Sequence, residues 1–212
     1  MSIYRHNIFP RLCNLTLRDE ETARRRREAL APVAGEVLEI GFGTGLNLAC
    51  YSEAVTRIVG AEPNPGMRRL AARQAAAARM PVELVPDRAE ALSFEDASFD
   101  AVVSTFTLCS VAAPALALAE LRRVLRPGGV FAFLEHGLAP EPKVARWQRR
   151  LTPLQRLIGD GCHLNRKIDD LIAGSGFAIE RLETGYQPPG PKVATYLYQG
   201  LARADGRPAR GG

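Results

Sequence analysis

VLEIGFGTGLN, from Val37 to Asn47, is the segment that decides the fold of this chain. Strand-forming residues lead into three glycines at alternate positions, Gly41, Gly43 and Gly45, and a helix-compatible stretch from Leu46 to Tyr51 follows. Glycine allows unusual φ values and lets a ligand come close where a Cβ would clash. The pattern predicts a strand, a tight loop and a helix whose free N–H groups suit a phosphate or a carboxylate.

Two details of this segment narrow the choice of ligand. The dinucleotide fingerprint has a glycine at the sixth position of G-x-G-x-x-G, whereas the spacing here is G-x-G-x-G and Leu46 follows. Glu39 stands ahead of the glycines, near the end of an otherwise apolar strand. A carboxylate is a poor neighbour for a pyrophosphate and a good one for a cation. A nicotinamide dehydrogenase is therefore disfavoured.

Strands and helices alternate on both sides of the glycine segment. Strands are predicted at 36–40, 56–61, 82–85, 99–104 and 130–134, and helices at 18–31, from Asn64 onward, at 114–125 and at 165–173. From Glu135 to about Leu164 prolines interrupt the pattern, and two further strands, 177–183 and 193–201, read as a closing hairpin. Such alternation predicts an α/β fold with a doubly wound, mostly parallel sheet.

The composition is that of a globular protein, with 46% hydrophobic and 24% charged residues. No window of about 18 consecutive apolar residues is present, so no membrane span is predicted. The N-terminus, MSIYRHNIFPRL, lacks the apolar region and cleavage site of a signal peptide, and we expect a cytoplasmic protein. The four cysteines, Cys13, Cys50, Cys109 and Cys162, lie far apart. Their spacing predicts reduced thiols and no metal site.

The net charge of +5 is distributed unevenly. Residues 36–140 carry 9 basic and 12 acidic groups, whereas residues 141–212 carry 12 and 7. The basic run from Arg24 to Arg27 has no RNA-binding signature or aromatic platform beside it. We therefore expect a solvated helix face and no nucleic-acid partner.

In open α/β sheets the ligand lies at the carboxyl ends of the strands. Acidic residues stand at several of these ends, with Glu39 after the first strand, Glu62 after the second and Asp87 after the third. Glu62 comes 21 residues after Gly41, where a carboxylate can accept hydrogen bonds from ribose hydroxyls. The alternative role for Glu62 is an acid stabilised at a helix N-terminus.

Four motifs in this order resemble those of class I S-adenosylmethionine-dependent methyltransferases: VLEIGFGTGLN, VGAEPNPGM, AEALSFEDASFDAVVSTFTLCSV and LRRVLRPGGVFAFLEHG. The resemblance covers about residues 35–137. TFTLCSV, FLEHG and GDGCHLNR are similar to the methyltransferase-like proteins that include mammalian thiol methyltransferases and their bacterial relatives. It implies a Rossmann-like, seven-stranded sheet with an antiparallel C-terminal hairpin.

The resemblance also implies S-adenosylmethionine as the cofactor and S-adenosylhomocysteine as the product. Glu39 would help to hold the cationic amino group, Glu62 would bind both ribose hydroxyls, and Pro63 and Asn64 would flank the adenine. Arg88 stands where many relatives have an acid, so the adenine edge falls to Asp87 and Ala89. The expected cofactor-binding residues are Glu39, Gly41, Gly43, Gly45, Asn47, Glu62, Pro63, Asn64, Asp87, Ala89, Thr105 and Phe106.

Methyl transfer from a sulfonium is an in-line displacement, to which the enzyme contributes positioning and exclusion of water. His136, at the end of the fifth strand, is the candidate base, and Glu135 is expected to orient it or to meet the substrate. The alternative for His136 is a polar residue that caps a loop. Asp160, Cys162 and His163 form a second polar cluster, which either folds over the site or anchors a loop.

We therefore expect a methyltransferase that acts on a small or lipophilic acceptor, with a thiol as one candidate. A lipid amine or quinone methyltransferase at a membrane surface and a non-catalytic cofactor-binding protein are the alternatives. The expected organisation is one domain, 1–203, with an N-terminal cap (1–31), a cofactor-binding core (35–137) and an insert, helix and hairpin (138–203). Residues 204–212 are expected to form a disordered tail. The sequence makes no prediction of the oligomeric state.

Overall fold

A computed structural model describes residues 3–204 and contains one seven-stranded sheet in the order β3-β2-β1-β4-β5-β7-β6. The strands are β1 (Gly35–Ile40), β2 (Val55–Ala61), β3 (Val82–Val85), β4 (Phe99–Thr105), β5 (Leu125–His136), β6 (Phe177–Tyr186) and β7 (Tyr196–Ala204). The first five are parallel, and β7 runs antiparallel to both of its neighbours. The predicted α/β fold with a reversed C-terminal hairpin is confirmed.

Helices cover the sheet and extend from its ends. They are a π-helical turn (Tyr4–Ile8), α1 (Phe9–Thr16), α2 (Glu20–Leu30), a 3-10 turn (Leu48–Cys50), α3 (Pro65–Ala76), α4 (Pro114–Val124), α5 (Pro142–Ile158), α6 (Ile168–Gly174) and α7 (Lys192–Thr195). Asn64 caps α3 as its sequence predicts, because its Oδ1 accepts the N–H of Gly66 at 2.9 Å. No helix within residues 3–204 has both the length and the apolar character required to cross a bilayer.

The central strands are buried on both faces of the sheet. Alternate residues of a strand point to opposite faces, so Val37 packs in the cluster below one face and Leu38 in the cluster above the other. Both side chains are fully buried. This two-sided burial explains why the strands read as continuous apolar runs.

Two local predictions are wrong. The stretch behind the glycines forms only the 3-10 turn and not an α-helix, because the N–H groups of Leu48 and Cys50 bond to carbonyls three residues back and β2 begins at Val55. The ligand at this loop therefore faces backbone groups of the loop itself.

The second wrong prediction concerns the proline-interrupted region, which contains α5, the longest helix of the described residues. Pro142 occupies the first helical position, where a missing N–H costs nothing. The interior Pro153 is tolerated because the opposite face is tied down. Buried Gln148 donates to the carbonyl of Gly137 and accepts the N–H of Ala139, both at 2.9 Å.

β5 begins at Leu125, earlier than the predicted Val130, because Leu125 pairs with Phe99. Gly128 takes a φ of 79° within it. Ala204 ends β7, and the rest of the expected disordered tail, 205–212, lies outside the described residues.

Candidate active site

A cavity of about 1150 Å³ lies at the carboxyl ends of β1, β2 and β4. One side is formed by the glycine loop and by the residues that follow β2, β3 and β4, and the other by the N-terminal helices and residues 156–163. Strand-end residues thus meet two segments from distant parts of the sequence. Of the expected cofactor-binding residues, those that line the cavity are Glu39, Gly41, Gly43, Glu62, Pro63, Asn64, Ala89, Thr105 and Phe106.

The glycine loop presents backbone to the cavity. Gly41, Gly43 and Gly45 have φ values of 58°, 61° and 85°, a region that side chains disfavour. A Cβ on Gly41 would lie 2.1 Å from Oγ1 of Thr107, whereas a Cβ on Gly43 would meet its nearest neighbour, the carbonyl oxygen of Gly41, at 3.7 Å. Gly43 is therefore the glycine beside which a ligand has room. Gly45 is not among the residues that line the cavity.

Glu62 is fixed by two backbone N–H groups. Its Oε2 accepts from Gly43 at 2.9 Å and its Oε1 accepts from Asn64 at 2.8 Å. Each carboxylate oxygen retains acceptor capacity for a further donor. Burial raises the pKa of Glu62, although these hydrogen bonds oppose the shift. The side chain is held in the orientation that two adjacent hydroxyl donors require.

Glu39 lies at the centre of a buried polar network at the end of β1. Its Oε1 accepts from Nδ2 of Asn47 at 2.8 Å, and its Oε2 accepts from the hydroxyl of Tyr51 at 2.6 Å. Burial raises the pKa of Glu39 to about 7. Asn47 does not itself line the cavity and acts here by holding Glu39.

Arg26 of α2 enters the same network. Its Nη1 donates to Oδ1 of Asn47 at 2.6 Å and to Oγ1 of Thr105 at 3.3 Å. The side chain is 5% exposed, and burial lowers the pKa of its guanidinium. Its Nε is buried without a hydrogen-bond partner in the described structure. The expected solvated face is therefore wrong for Arg26, which lines the cavity together with Glu39.

Phe106 follows β4 in a strained conformation. Its φ of 52° is unusual for a bulky residue. The backbone N–H of Phe106 donates to the carbonyl of Leu134 at 2.8 Å, and the guanidinium of Arg26 lies 5.3 Å from the ring centroid. These contacts turn the ring towards the cavity.

The third strand contributes Ala89 and Glu90 to the cavity and not Asp87. Oδ2 of Asp87 accepts the N–H and the hydroxyl of Ser93 at 2.8 and 2.7 Å. Glu90, which the sequence did not single out, accepts the N–H of Ala112 at 2.8 Å and lines the cavity.

Glu135 does not line the cavity, because it anchors the loop that follows β4. Its Oε1 accepts the hydroxyl of Ser104 at 2.6 Å and the N–H groups of Thr107 and Leu108 at 3.0 Å. Its Oε2 accepts the N–H of Cys109 at 3.3 Å. All of these contacts are buried, so the carboxylate serves the loop and neither orients His136 nor reaches the cavity.

His136 is also away from the cavity, in a buried cluster with two cysteines. Its Nε2 lies 3.5 Å from Sγ of Cys162, which lies 3.7 Å from Sγ of Cys109. Hydrogen bonds from Cys109 and His136 lower the pKa of Cys162 to about 4. Burial opposes protonation of His136, but its hydrogen bond to Cys162 raises its pKa overall.

The second polar cluster of the sequence is divided by the fold. Asp160 and His163 line the cavity, whereas Cys162 does not. Oδ1 of Asp160 pairs with Nε of Arg5 at 2.6 Å and so joins this loop to the N-terminal helices. Nδ1 of His163 lies 3.2 Å from the carbonyl oxygen of Cys109, which can only accept. The proton is therefore assigned to Nδ1, which leaves Nε2 as an acceptor.

Comparison with known proteins identifies the core of this site. The family model described as a methyltransferase domain matches residues 38–133. The thiol S-methyltransferase TMT1B of Homo sapiens is 36% identical over 168 residues, which cover 76% of this chain and 68% of that protein. The chain spans 63% of the rat protein of the same name.

Two other similarities complete the comparison. The demethylmenaquinone methyltransferase of Clavibacter sepedonicus is 40% identical over 119 residues, which cover 56% of this chain and 48% of that protein. A SAM-dependent methyltransferase structure from Thermotoga maritima superposes with a TM-score of 0.69 at 19% identity, covering 95% of this chain and 98% of the other. The structural likeness concerns the fold alone.

Proposed function

The chain belongs to the class I S-adenosylmethionine-dependent methyltransferases, and we propose that it transfers the methyl group to a small lipophilic thiol. One observation carries the proposal: the glycine-loop side and an apolar side meet in a single cavity of about 1150 Å³. Pockets for one drug-sized ligand occupy about 300–1000 Å³. The cavity therefore has room for a cofactor and an acceptor together.

The cofactor fits the residues at the strand ends. Glu39 and Arg26 present an acid and a guanidinium to one end of the cavity, matching the ammonium and carboxylate of a methionyl group. The unpartnered Nε of Arg26 is a donor that such a carboxylate would satisfy. Glu62 is preorganised for ribose hydroxyls, and Gly43 leaves room beside the backbone. When bound, the cofactor supplies an electrophilic methyl group on a sulfonium.

The acceptor side is apolar, with one imidazole. The N-terminal helices and α5 contribute Tyr4, Phe9, Leu17, Leu157 and Ile158 to the cavity wall. These side chains exclude water from the reacting atoms, as a displacement at carbon requires.

His163 is the residue that takes the proton of the incoming thiol. It lines the cavity, and the carbonyl of Cys109 holds its Nδ1–H and leaves Nε2 as the acceptor. The thiolate is the nucleophilic form of a thiol. The similarity to TMT1B supports a thiol over other acceptors.

A labelled-methyl assay tests the acceptor. The purified chain is incubated with methyl-labelled S-adenosylmethionine and separate panels of aliphatic thiols, aromatic thiols, phenols and amines. We expect S-methyl products and preference for the more apolar thiols. Labelling confined to phenols or amines would replace the thiol by another acceptor. Cofactor binding without any labelled product would support the non-catalytic alternative.

A lipid-dissolved acceptor is the second candidate, favoured by the outer faces of α1 and α5. Ile8, at the N-cap of α1, and Leu12 and Leu15 within it are about half exposed or more, as are Trp147 and Leu154 on α5. α5 also carries five basic residues and no acidic one. The hydroxyl of Tyr4 donates to the carbonyl of Ile158 at 2.6 Å, which joins the two faces beside the cavity. An apolar face with basic residues suits an anionic membrane surface.

Vesicle sedimentation tests this second candidate. We expect the chain to pellet with anionic vesicles at low salt, and to do so less at high salt because salt screens exposed charges. Arg149→Glu combined with Arg150→Glu should abolish sedimentation. Arg57→Glu, at the amino end of β2, is the control and should leave it unchanged. Equal sedimentation of all three proteins would exclude a membrane role for this face.

A further inference from the structure

We propose that Cys109, His136 and Cys162 form a binding site for a thiophilic metal ion such as Zn²⁺. The three side chains come from the loop after β4, the last residue of β5 and the loop after α5. Their ligand atoms all lie within 4.8 Å of one another. This cluster is separate from the cofactor cavity, whose lining includes none of the three residues.

The distances within the cluster match a tetrahedral site. Zn–S bonds of about 2.3 Å and Zn–N bonds of about 2.0–2.1 Å imply an S–S separation of about 3.8 Å and an S–N separation of about 3.5 Å at the tetrahedral angle. The structure has 3.7 Å between Sγ of Cys109 and Sγ of Cys162, and 3.5 Å between Sγ of Cys162 and Nε2 of His136. An ion can therefore enter with little movement of the two sulfurs.

The chemical identity of the donors selects the class of metal. Two sulfurs and one imidazole favour Zn²⁺ or Cu⁺ over Mg²⁺ and Ca²⁺, which prefer oxygen. Three protein ligands leave a fourth position for water or another donor.

The backbone around the cluster is held in place by further contacts. Glu135 accepts the N–H of Cys109 at 3.3 Å, and the N–H of His163 donates to the carbonyl of Cys109 at 2.8 Å. Arg166 donates to the carbonyl of Leu108 at 2.5 Å. Such outer contacts orient metal ligands. They also give Glu135 a role that its distance from the cavity otherwise leaves unexplained.

An ion at this site would brace one wall of the cavity. Ser110 and His163, the sequence neighbours of Cys109 and Cys162, both line the cavity. The ion would join the loop after β4 to the loop after α5 through metal–ligand bonds. It would fix the wall without contact to the cofactor.

Titration of the reduced full chain with Co²⁺, used as a spectroscopic probe for Zn²⁺, tests the site. We expect one Co²⁺ per chain, a thiolate charge-transfer band, visible bands of a tetrahedral site and displacement by Zn²⁺. Cys162→Ser and His136→Gln should each weaken binding by about 100-fold or more. Cys50→Ser is the control, since Cys50 is a half-buried thiol outside the cluster, and it should bind as the unmodified chain does.

A second measurement needs no variant. Zn²⁺ should slow alkylation of Cys162, followed by peptide mass mapping, and leave the rates at Cys13 and Cys50 unchanged. Absence of the charge-transfer band, or its persistence in folded Cys162→Ser, would overturn the proposal. Conversion of Cys109 and Cys162 to a disulfide without metal uptake would also overturn it and identify a redox pair.

Discussion

The two sides of the cavity are built in different ways. The cofactor side consists of the glycine loop with Glu39 and Glu62, and contacts within about 30 residues of sequence hold it. The acceptor side consists of residues 4–17 and 156–163, which meet only through the fold, as in the ion pair of Arg5 with Asp160. The difference teaches that the cofactor site is fixed locally, whereas acceptor choice depends on segments brought together from the two ends of the chain.

Glu62→Ala should have the largest effect and should act on the cofactor side alone. A hydrogen bond to a charged group contributes about 1.5–3 kcal/mol, so loss of two ribose contacts predicts affinity for S-adenosylhomocysteine reduced by about 100-fold or more. Calorimetry provides the measurement. Glu120→Ala is the control, because Glu120 accepts the N–H of Leu92 at 2.9 Å and does not line the cavity. Equal affinities in the two variants would contradict the assigned role of Glu62.

His163→Gln should act on the acceptor side alone. Loss of a positioned base reduces turnover by about 100-fold, while the dissociation constant of S-adenosylhomocysteine should stay unchanged. Steady-state assays with a thiol acceptor and calorimetry on the same sample separate the two quantities. A variant with full turnover would remove His163 from the reaction, and a variant with weakened cofactor binding would show that the two sides are not independent.

Gly43→Ala should weaken cofactor binding by about 10-fold, because its Cβ would point into the space left for the ligand. Gly128→Ala is the matched control. Gly128 also has a positive φ, 79° against 61°, and a Cβ there would meet nothing within 4 Å. Both variants should therefore lose similar stability, about 1 kcal/mol, from backbone strain. If Gly43→Ala binds the cofactor as tightly as Gly128→Ala does, no ligand lies against Gly43.

Glu39→Gln should have the smallest effect at neutral pH and the clearest pH signature. Burial raises the pKa of Glu39 from 4.5 to about 7, so the carboxylate that can pair with an ammonium forms as the pH rises through 7. Affinity for the cofactor should increase through this range in the unmodified chain, and this contribution should vanish in the variant.

The same shift fixes the sign for stability. Between pH 4.5 and 7 the native state keeps a proton that the unfolded state has lost, so Glu39 lowers the free energy of unfolding as the pH rises. Denaturant titrations of the unmodified chain and the variant at pH 5 and pH 7.5 measure the difference. A variant with the same pH slope as the unmodified chain would contradict the raised pKa.

The cofactor side could be predicted from the sequence because strand ends and glycine spacing are local signals. Glu39 and Glu62 end parallel strands, and all such ends meet at one edge of the sheet. The α-helix expected after the glycines was wrong, since only four residues separate Cys50 from Val55.

The rule of strand ends does not give the direction of a side chain. Glu135 and His136 both end β5, yet one anchors the loop after β4 and the other joins the two cysteines, so neither lines the cavity.

Other parts of the site carried no readable signal or a misread one. Cys109, His136 and Cys162 are separated by 27 and 26 residues, far from the short spacing of common metal motifs. Arg26 offered a signal, because Thr22, Arg26 and Ala29 recur at helical spacing on the buried face of α2. The basic run around it concealed that pattern.

Calorimetric titration of S-adenosylhomocysteine into the folded chain tests the central claim most directly. The strand-end site predicts one molecule bound per chain, with affinity that rises as the pH is increased through 7. Absence of binding at millimolar ligand, with the fold verified by circular dichroism, would contradict the cofactor site and the methyl transfer proposed from it.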